Sequence, residues 1–413
     1  MFAGFALPLF LLHATATATV AAQASGFLYV SSYSGNTTTL DLSAACSADG
    51  CGGAITSGVP LLKIVSSTNG CAGSPSWLTL DRTKPVLFCV DEGLTTAKGS
   101  LSSFATSAHG DLRRLDKVST LGGPVSGVLY GKGRKRGLAV AHYSPGALTT
   151  WDVSDPSHLS LVQTDQYKIA HPGPNPDRQG ASHAHEAFLD PTGSFILVPD
   201  LGADKIHVYA IRKPTDLQLT ALPPIRVKPG SGPRHITFAV RNGKTFMYLV
   251  TELANTIIGY QATYRRASVQ FRELFTIGTH GAGNSVPSGA AAAEIAVSPD
   301  AKFLIVSSRN ENTLSIPNFD PKNSTRIVSD PLINFSIDGD TGTLTKIQHV
   351  PCGGRFPRQF SINRAGTLLA VAQQSDGRVV VIDRDVETGR LGNFAAYANI
   401  PGQVTSVIFD EDS

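Results

Sequence analysis

A short apolar run returns seven times along this chain: FLYVSSY (27–33), VLFCVDE (86–92), LAVAHY (138–143), FILVPDL (195–201), MYLVTEL (247–253), FLIVSSR (303–309) and LLAVAQQ (368–374). Each is short, apolar and bounded by turn residues, so each reads as a strand. With Val30, Cys89, Val140, Val198, Leu249, Val306 and Val371 as one column, successive anchors lie 51 to 65 residues apart. That period holds one four-stranded antiparallel unit with its loops, the signature of a propeller blade.

Each unit has internal order. A second apolar segment precedes the anchor, as in PSWLTLDRTK (75–84), AHEAFLDPTG (184–193), RHITFAVRNG (234–243), EIAVSPDAK (294–302) and RQFSINRAG (358–366). The D-P-T-G, R-N-G and S-P-D steps between segment and anchor are tight-turn chemistry. A third strand follows the anchor in segments such as KIHVYAI (205–211) and RVVVID (378–383). The first anchor has no strand before it, whereas QVTSVIFDED (403–412) is a strand with nothing after it. Joining them completes a blade and removes two open edges. The expectation is an all-β, seven-bladed β-propeller closed by pairing of the N- and C-terminal strands in one blade.

In such a blade the first strand lines the central channel and the second runs antiparallel beside it. Starts of first strands and ends of second strands therefore share one face. The first set contributes His183, His185, Arg234, His235, Glu294, Arg358 and Gln359; the second contributes Tyr33, Glu92, Tyr143, Leu201, Glu252, Arg309 and Gln374, with His142 beside Tyr143. Charged groups of both signs rarely crowd one opening without a ligand to meet or partners to pair with. Arginines clamp carboxylates and stabilise an enolate or oxyanion. A histidine oriented by a glutamate moves a proton. The competing reading of each residue is structural: an H-x-H step packs as often as it works, and Arg234 or Arg309 can tie blades together through Glu252 or Glu294. Arg178 and Gln179, in the loop 165–182, either cover the mouth or are solvated. The stretch 281–293 is expected as a loop on the same face.

Composition narrows the field. The chain has 413 residues, 41% hydrophobic and 16% charged, with 40 glycines and 25 prolines. This suits many short strands and excludes disorder. A net charge of +3 and no basic run beyond 132–136 exclude a nucleic-acid footprint. Residues 1–22 read as a secretory signal peptide, its apolar run too short to span a bilayer, with cleavage after Ala22 or Ala24. Residues 23–413 would then be the secreted propeller domain, with no membrane contact after cleavage. Asn36, Asn323 and Asn334 stand in N-x-S/T sequons and are candidate glycosylation sites. Cys46 and Cys51 are a candidate disulfide, Cys89 is read as a small core residue, and no Cys/His cluster suggests zinc.

At SHAHEAFLDPTGSFILVPDLGADKIHVY (182–209), GPRHITF (232–238), YLVTELANTI (248–257), 291–314 and 350–383 the sequence resembles the seven-bladed lactonase family, which includes 6-phosphogluconolactonases of one type and fungal carboxy-cis,cis-muconate cyclases. The resemblance implies His185 as general acid or base, Arg234 and Arg309 as anion-binding arginines, Glu252 as the acidic partner, and neither metal nor cofactor. His183, His235, Glu294, Arg358, Gln359, Glu92 and His142 are then candidate substrate-binding residues for a small lactone or unsaturated acid. The first expectation is a lactonising cycloisomerase of the carboxymuconate cyclase type. A hydrolytic lactonase of the 6-phosphogluconolactonase type and a non-catalytic secreted glycoprotein are the alternatives.

Overall fold

The computed structural model describes residues 26–45, 58–266 and 268–411. Seven four-stranded antiparallel sheets stand around a ring, and the first is assembled from both ends of the chain. Val404–Asp410 is its innermost strand and pairs antiparallel with Phe27–Ser32, Val30 opposite Val407. Thr37–Asp41 and Lys63–Thr68 complete that blade. The remaining inner strands are Pro75–Asp81, Pro124–Tyr130, Phe188–Leu189, Pro233–Arg241, Ala291–Val297 and Pro357–Ile362, opening blades 2 to 7 in turn.

The anchors recognised above are the second strands, and burial explains why they carried the signal. Val86–Asp91, Gly137–His142, Phe195–Asp200, Phe303–Arg309 and Leu368–Gln373 are buried at every position. Each is covered on both faces by neighbouring blades, so it is apolar throughout rather than alternating. The outermost strands, such as Ser160–Gln166, have one wet face and a weaker pattern. The core is correspondingly divided. Hydrophobic clusters fill the seams between successive blades, among them Tyr248, Val250, Leu304 and Val306 between blades 5 and 6, and Val30, Leu40, Val379 and Val407 between blades 7 and 1. The longest anchor spacing, before Val371, reflects an extra hairpin, Leu314–Pro317 with Arg326–Ser329, inserted into blade 6.

Two expectations change here. Cys89 is not a free core residue: it is bonded to Cys71 across the seam-facing side of blade 2. A buried thiol and a buried half-cystine look alike in an apolar strand, and the partner lies in a loop 18 residues upstream. Asn334 lies fully buried in the strand Pro331–Ile337, where its side-chain amide donates to the Gly389 carbonyl. The folded domain therefore has no room for a glycan there. Asn323 is exposed and Asn36 half-buried, both at turns. The proposed signal peptide and the Cys46–Cys51 pair lie outside the described residues.

Candidate functional site

Backbone irregularity, repeated in register, aims the side chains of the mouth. Where the first strand meets the second, the pairing slips by one residue between Pro75 and Trp77, Pro124 and Ser126, Pro233 and His235, and Pro357 and Gln359. Between Ala292 and Ile295 the slip is again one residue, spread over a longer unpaired stretch. A bulge gives one strand an extra residue and turns its side chain out of the alternation. That extra residue is Val125, Arg234 or Arg358 in the three cases that line a cavity of about 160 Å³. Glu92, Tyr143, Glu252 and Arg309, from the ends of second strands, join them, together with His185 and Arg178.

Glu252 is the hub. Its Oε2 accepts from Arg234 Nη1 at 2.8 Å and lies 3.0 Å from Arg309 Nη2, while its Oε1 accepts from Arg178 Nη2 at 2.6 Å. Burial alone would raise this carboxyl; the guanidiniums of Arg309, Arg234 and Arg178 instead hold it well below the usual carboxylate range. The arginines are fixed from behind. Arg234 Nε donates to the Ala293 carbonyl, and Arg309 donates to those of Ala291 and Ala292. The Ala-rich start of this strand thus has a use, because small side chains leave its carbonyls open to two guanidiniums. Burial and the neighbouring Arg309 push Arg234 down to about 10, so it stays charged at neutral pH. Arg309 also stacks over Phe356, 4.9 Å from the ring centre.

On the other side of the mouth, Arg358 donates to Tyr33 Oη at 2.6 Å and to Glu92 Oε1 at 3.1 Å. Tyr33 donates to the same carboxylate oxygen. The cavity therefore brings four arginines together with two glutamates, a net excess of positive charge suited to an anion or to a developing oxyanion.

His185 completes the arrangement, and its hydrogen bonds define its proton. Arg234 Nη1 donates to His185 Nε2. A neutral ring must then carry hydrogen on Nδ1, which lies 3.2 Å from His235 Nε2. His235 in turn carries hydrogen on Nδ1 and donates to Glu294 Oε1 at 3.0 Å. Burial, then Arg234 and His235, hold His185 well below its ordinary value, so the ring is neutral and free of charge repulsion with the guanidiniums. Behind it, burial and the nearby Glu294 raise Glu186 well above the carboxylate range. A directional chain therefore runs from the mouth into the protein: Arg234, His185, His235, Glu294.

Six of the eleven candidate catalytic and substrate-binding residues line the cavity: Glu92, His185, Arg234, Glu252, Arg309 and Arg358, beside Tyr143 of the predicted rim. The other five do not. His235 and Glu294 lie one layer deeper and act only through His185. His183 stacks on Tyr143 at 4.4 Å and supports it from outside the cavity. His142 is fully buried in the opposite direction from Tyr143, its Nε2 2.8 Å from Thr149 Oγ1. Strand alternation sends adjacent residues to opposite faces. Gln359 is turned into the seam, where it accepts from Val407 N and donates to Phe360 O. Arg178, left open above, covers the mouth, and the buried Gln179 pins its short helix (Pro176–Gln179) through Leu201 and Asp204. Val125 and Glu186 were missed. The recurring Pro-x step at first-strand starts was the available signal for Val125; nothing marked Glu186.

The ring carries a cationic mouth beside a buried neutral histidine, an arrangement able to hold a small anion and to accept a proton. The chain belongs to the lactonase family of seven-bladed β-propellers, whose profile matches residues 61–409. It is 29% identical over 330 residues to an Arthroderma benhamiae protein named "Probable 6-phosphogluconolactonase", covering 79% of this chain and 78% of that one. It is 28% identical to a 6-phosphogluconolactonase of Formosa agariphila over 76% of this chain and 83% of that one. Among solved structures, the periplasmic gluconolactonase PpgL of Pseudomonas aeruginosa superposes with a TM-score of 0.72 at 25% identity, covering 93% of this chain and 98% of that one.

Proposed function

We propose that this protein is a hydrolytic lactonase acting on sugar lactones. The observation that carries the reading is the clamp of Arg234, Arg309 and Arg178 on Glu252 beside a neutral, buried His185. Lactone opening needs few parts. Water adds to the ring carbonyl carbon, the carbonyl oxygen becomes an oxyanion, and the carbon–ring oxygen bond then breaks to leave a hydroxy acid. Guanidiniums at the mouth stabilise the oxyanion, and one such donor is worth about 3–4 kcal/mol in a transition state. When the substrate draws Arg234 away, the freed His185 Nε2 takes a proton from the attacking water. It later returns that proton to the ring oxygen, while His235 and Glu294 steady the transient imidazolium.

The relatives are named for lactone hydrolysis, which favours this reading over the cycloisomerase set out first. Reaction in H₂¹⁸O separates the two. Glucono-1,5-lactone and its 6-phosphate are expected to be opened above their spontaneous rates, with solvent oxygen in the product carboxylate. Turnover of muconates without solvent oxygen, and no acceleration of either lactone, would restore the cyclisation reading.

Export belongs to the same proposal: residues 1–22 act as a cleaved leader, residues 23–413 as a secreted domain, and Asn36 and Asn323 as glycan sites. The Cys71–Cys89 bond suits an oxidising compartment, and the Pseudomonas relative is described as periplasmic. The secreted protein is expected to begin after Ala22 or Ala24 and to lose about 3 kcal/mol of stability on reduction, as befits a loop of this size. An intact N-terminus on secreted protein, or an unfolding midpoint unmoved by reductant, would contradict this.

A further inference from the structure

Three metal-ligating side chains converge outside the mouth, at the seam between blades 5 and 6. His280 follows the outer strand of blade 5 (Ser268–Gly278), Glu311 lies two residues beyond Arg309, and His349 sits in the outer strand of blade 6 (Leu344–Pro351). One ligand atom from each lies within 4.8 Å of the other two. The side chains of His280 and Glu311 are buried, whereas His349 opens to solvent.

The detailed contacts leave one demand unmet. His280 Nε2 stands 3.1 Å from Glu311 Oε1 and 3.3 Å from Oε2. Only the second contact is a hydrogen bond, and the buried Oε1 has no hydrogen-bond partner. A proton on Nε2 serves one oxygen; a cation among the three residues serves both imidazoles and the carboxylate. The two rings already meet edge to face at 5.3 Å, and Thr279 Oγ1 lies 3.4 Å from the remaining nitrogen of His280, where it orients that ring.

We propose that His280, Glu311 and His349 bind a divalent transition-metal ion of the zinc class, with solvent completing the coordination on the His349 side. Two imidazoles and a carboxylate form the N/O donor set that zinc accepts with an open position. The ligands come from separate strand ends far apart in sequence, so no spacing motif advertises them. The ion would tie the loop after blade 5 to the turn that follows Arg309. Asn255 already clips the end of that loop, donating to Ala290 O and accepting from Ala292 N. The ion would thus brace the carbonyl shelf on which Arg234 and Arg309 rest.

The test uses the intact protein, stripped with a chelator and titrated with zinc chloride. Calorimetry and elemental analysis should find one zinc per chain bound at micromolar concentration, with a zinc-dependent rise in unfolding midpoint. Cobalt(II) in its place should give visible absorption bands. His349 is solvent-facing, so His349→Ala should leave the fold intact. Because it removes a direct ligand, it should weaken binding by more than the about 10–100-fold that loss of an outer partner costs, and abolish the midpoint rise and the cobalt bands at concentrations that saturate the wild type. Wild-type protein that binds no zinc at these concentrations, or a His349→Ala variant that binds it equally well, would show the cluster to be only an ion pair beside a surface histidine.

Discussion

Replacing Arg234 by alanine is expected to lower kcat/KM for lactone opening by about 10²–10³-fold, the usual effect of removing one oxyanion donor. Arg234 joins three parts of the mouth: Glu252, His185 and the Ala293 carbonyl. Its loss removes positive charge beside the reacting carbonyl and also releases His185 Nε2. Glu252 keeps Arg178 and Arg309 as partners, so the fold should survive the change. Arg234→Lys restores charge but cannot reach Glu252 and Ala293 together, and should recover only part of the rate. Steady-state kinetics beside an unfolding curve check this. A purely ligand-binding propeller has no turnover to lose, so activity unchanged within about threefold, with the fold intact, would remove Arg234 from the mechanism.

Glu252→Gln should instead strike stability first. It leaves Arg178, Arg234 and Arg309 around a neutral amide, and breaking a buried ion pair from one side costs about 3–5 kcal/mol. The pH dependence follows from the direction of the shift. The folded-state carboxyl lies below the unfolded value, near 4.3. Its contribution is therefore complete above that value and disappears as pH falls through the folded one. The gap between wild type and Glu252→Gln should be widest at neutral pH and close on the acid side. Neutral buried histidines act in the same sense at higher pH. Burial holds His142 at about 4, so its unfolded form binds a proton that the folded form refuses between about 6.5 and 4. Glu186 runs the other way, since its raised value costs stability as pH climbs above the unfolded range. Wild-type stability should thus decline on acidification before Glu252 titrates. Denaturant melts of both proteins from neutral pH down past the unfolded value of about 4.3 measure this, since the gap should stay nearly constant above that value and shrink only below it. Equal stabilities at neutral pH would mean that Glu252 is not the charged hub.

How far the site was legible depended on which signal each residue carried. His185, Arg234, Glu252 and Arg309 were found because they sit at fixed offsets from strands whose double-sided burial makes them uniformly apolar. His142 and Gln359 shared those offsets within one residue and were assigned to the mouth, yet the structure turns both into blade seams. One residue is the smallest possible error along a strand and the largest possible in direction. Arg178 illustrates the opposite limit. Its loop has no periodicity, and only the pinning of Gln179 beneath Leu201 and Asp204 decides that the guanidinium, 41% exposed, reaches Glu252 rather than water.

By itself the amino-acid sequence determined the number of blades, their closure by the chain ends and the rim on which the chemistry gathers, because hydrophobic burial is written residue by residue. The tertiary structure alone decided the bulges that turn Arg234 and Arg358 inward, the His185–His235–Glu294 chain, the Cys71–Cys89 bond and the meeting of His280, Glu311 and His349. These depend on distances between segments from different strands and blades and on a one-residue slip in pairing. Neither leaves a trace in the spacing of apolar residues.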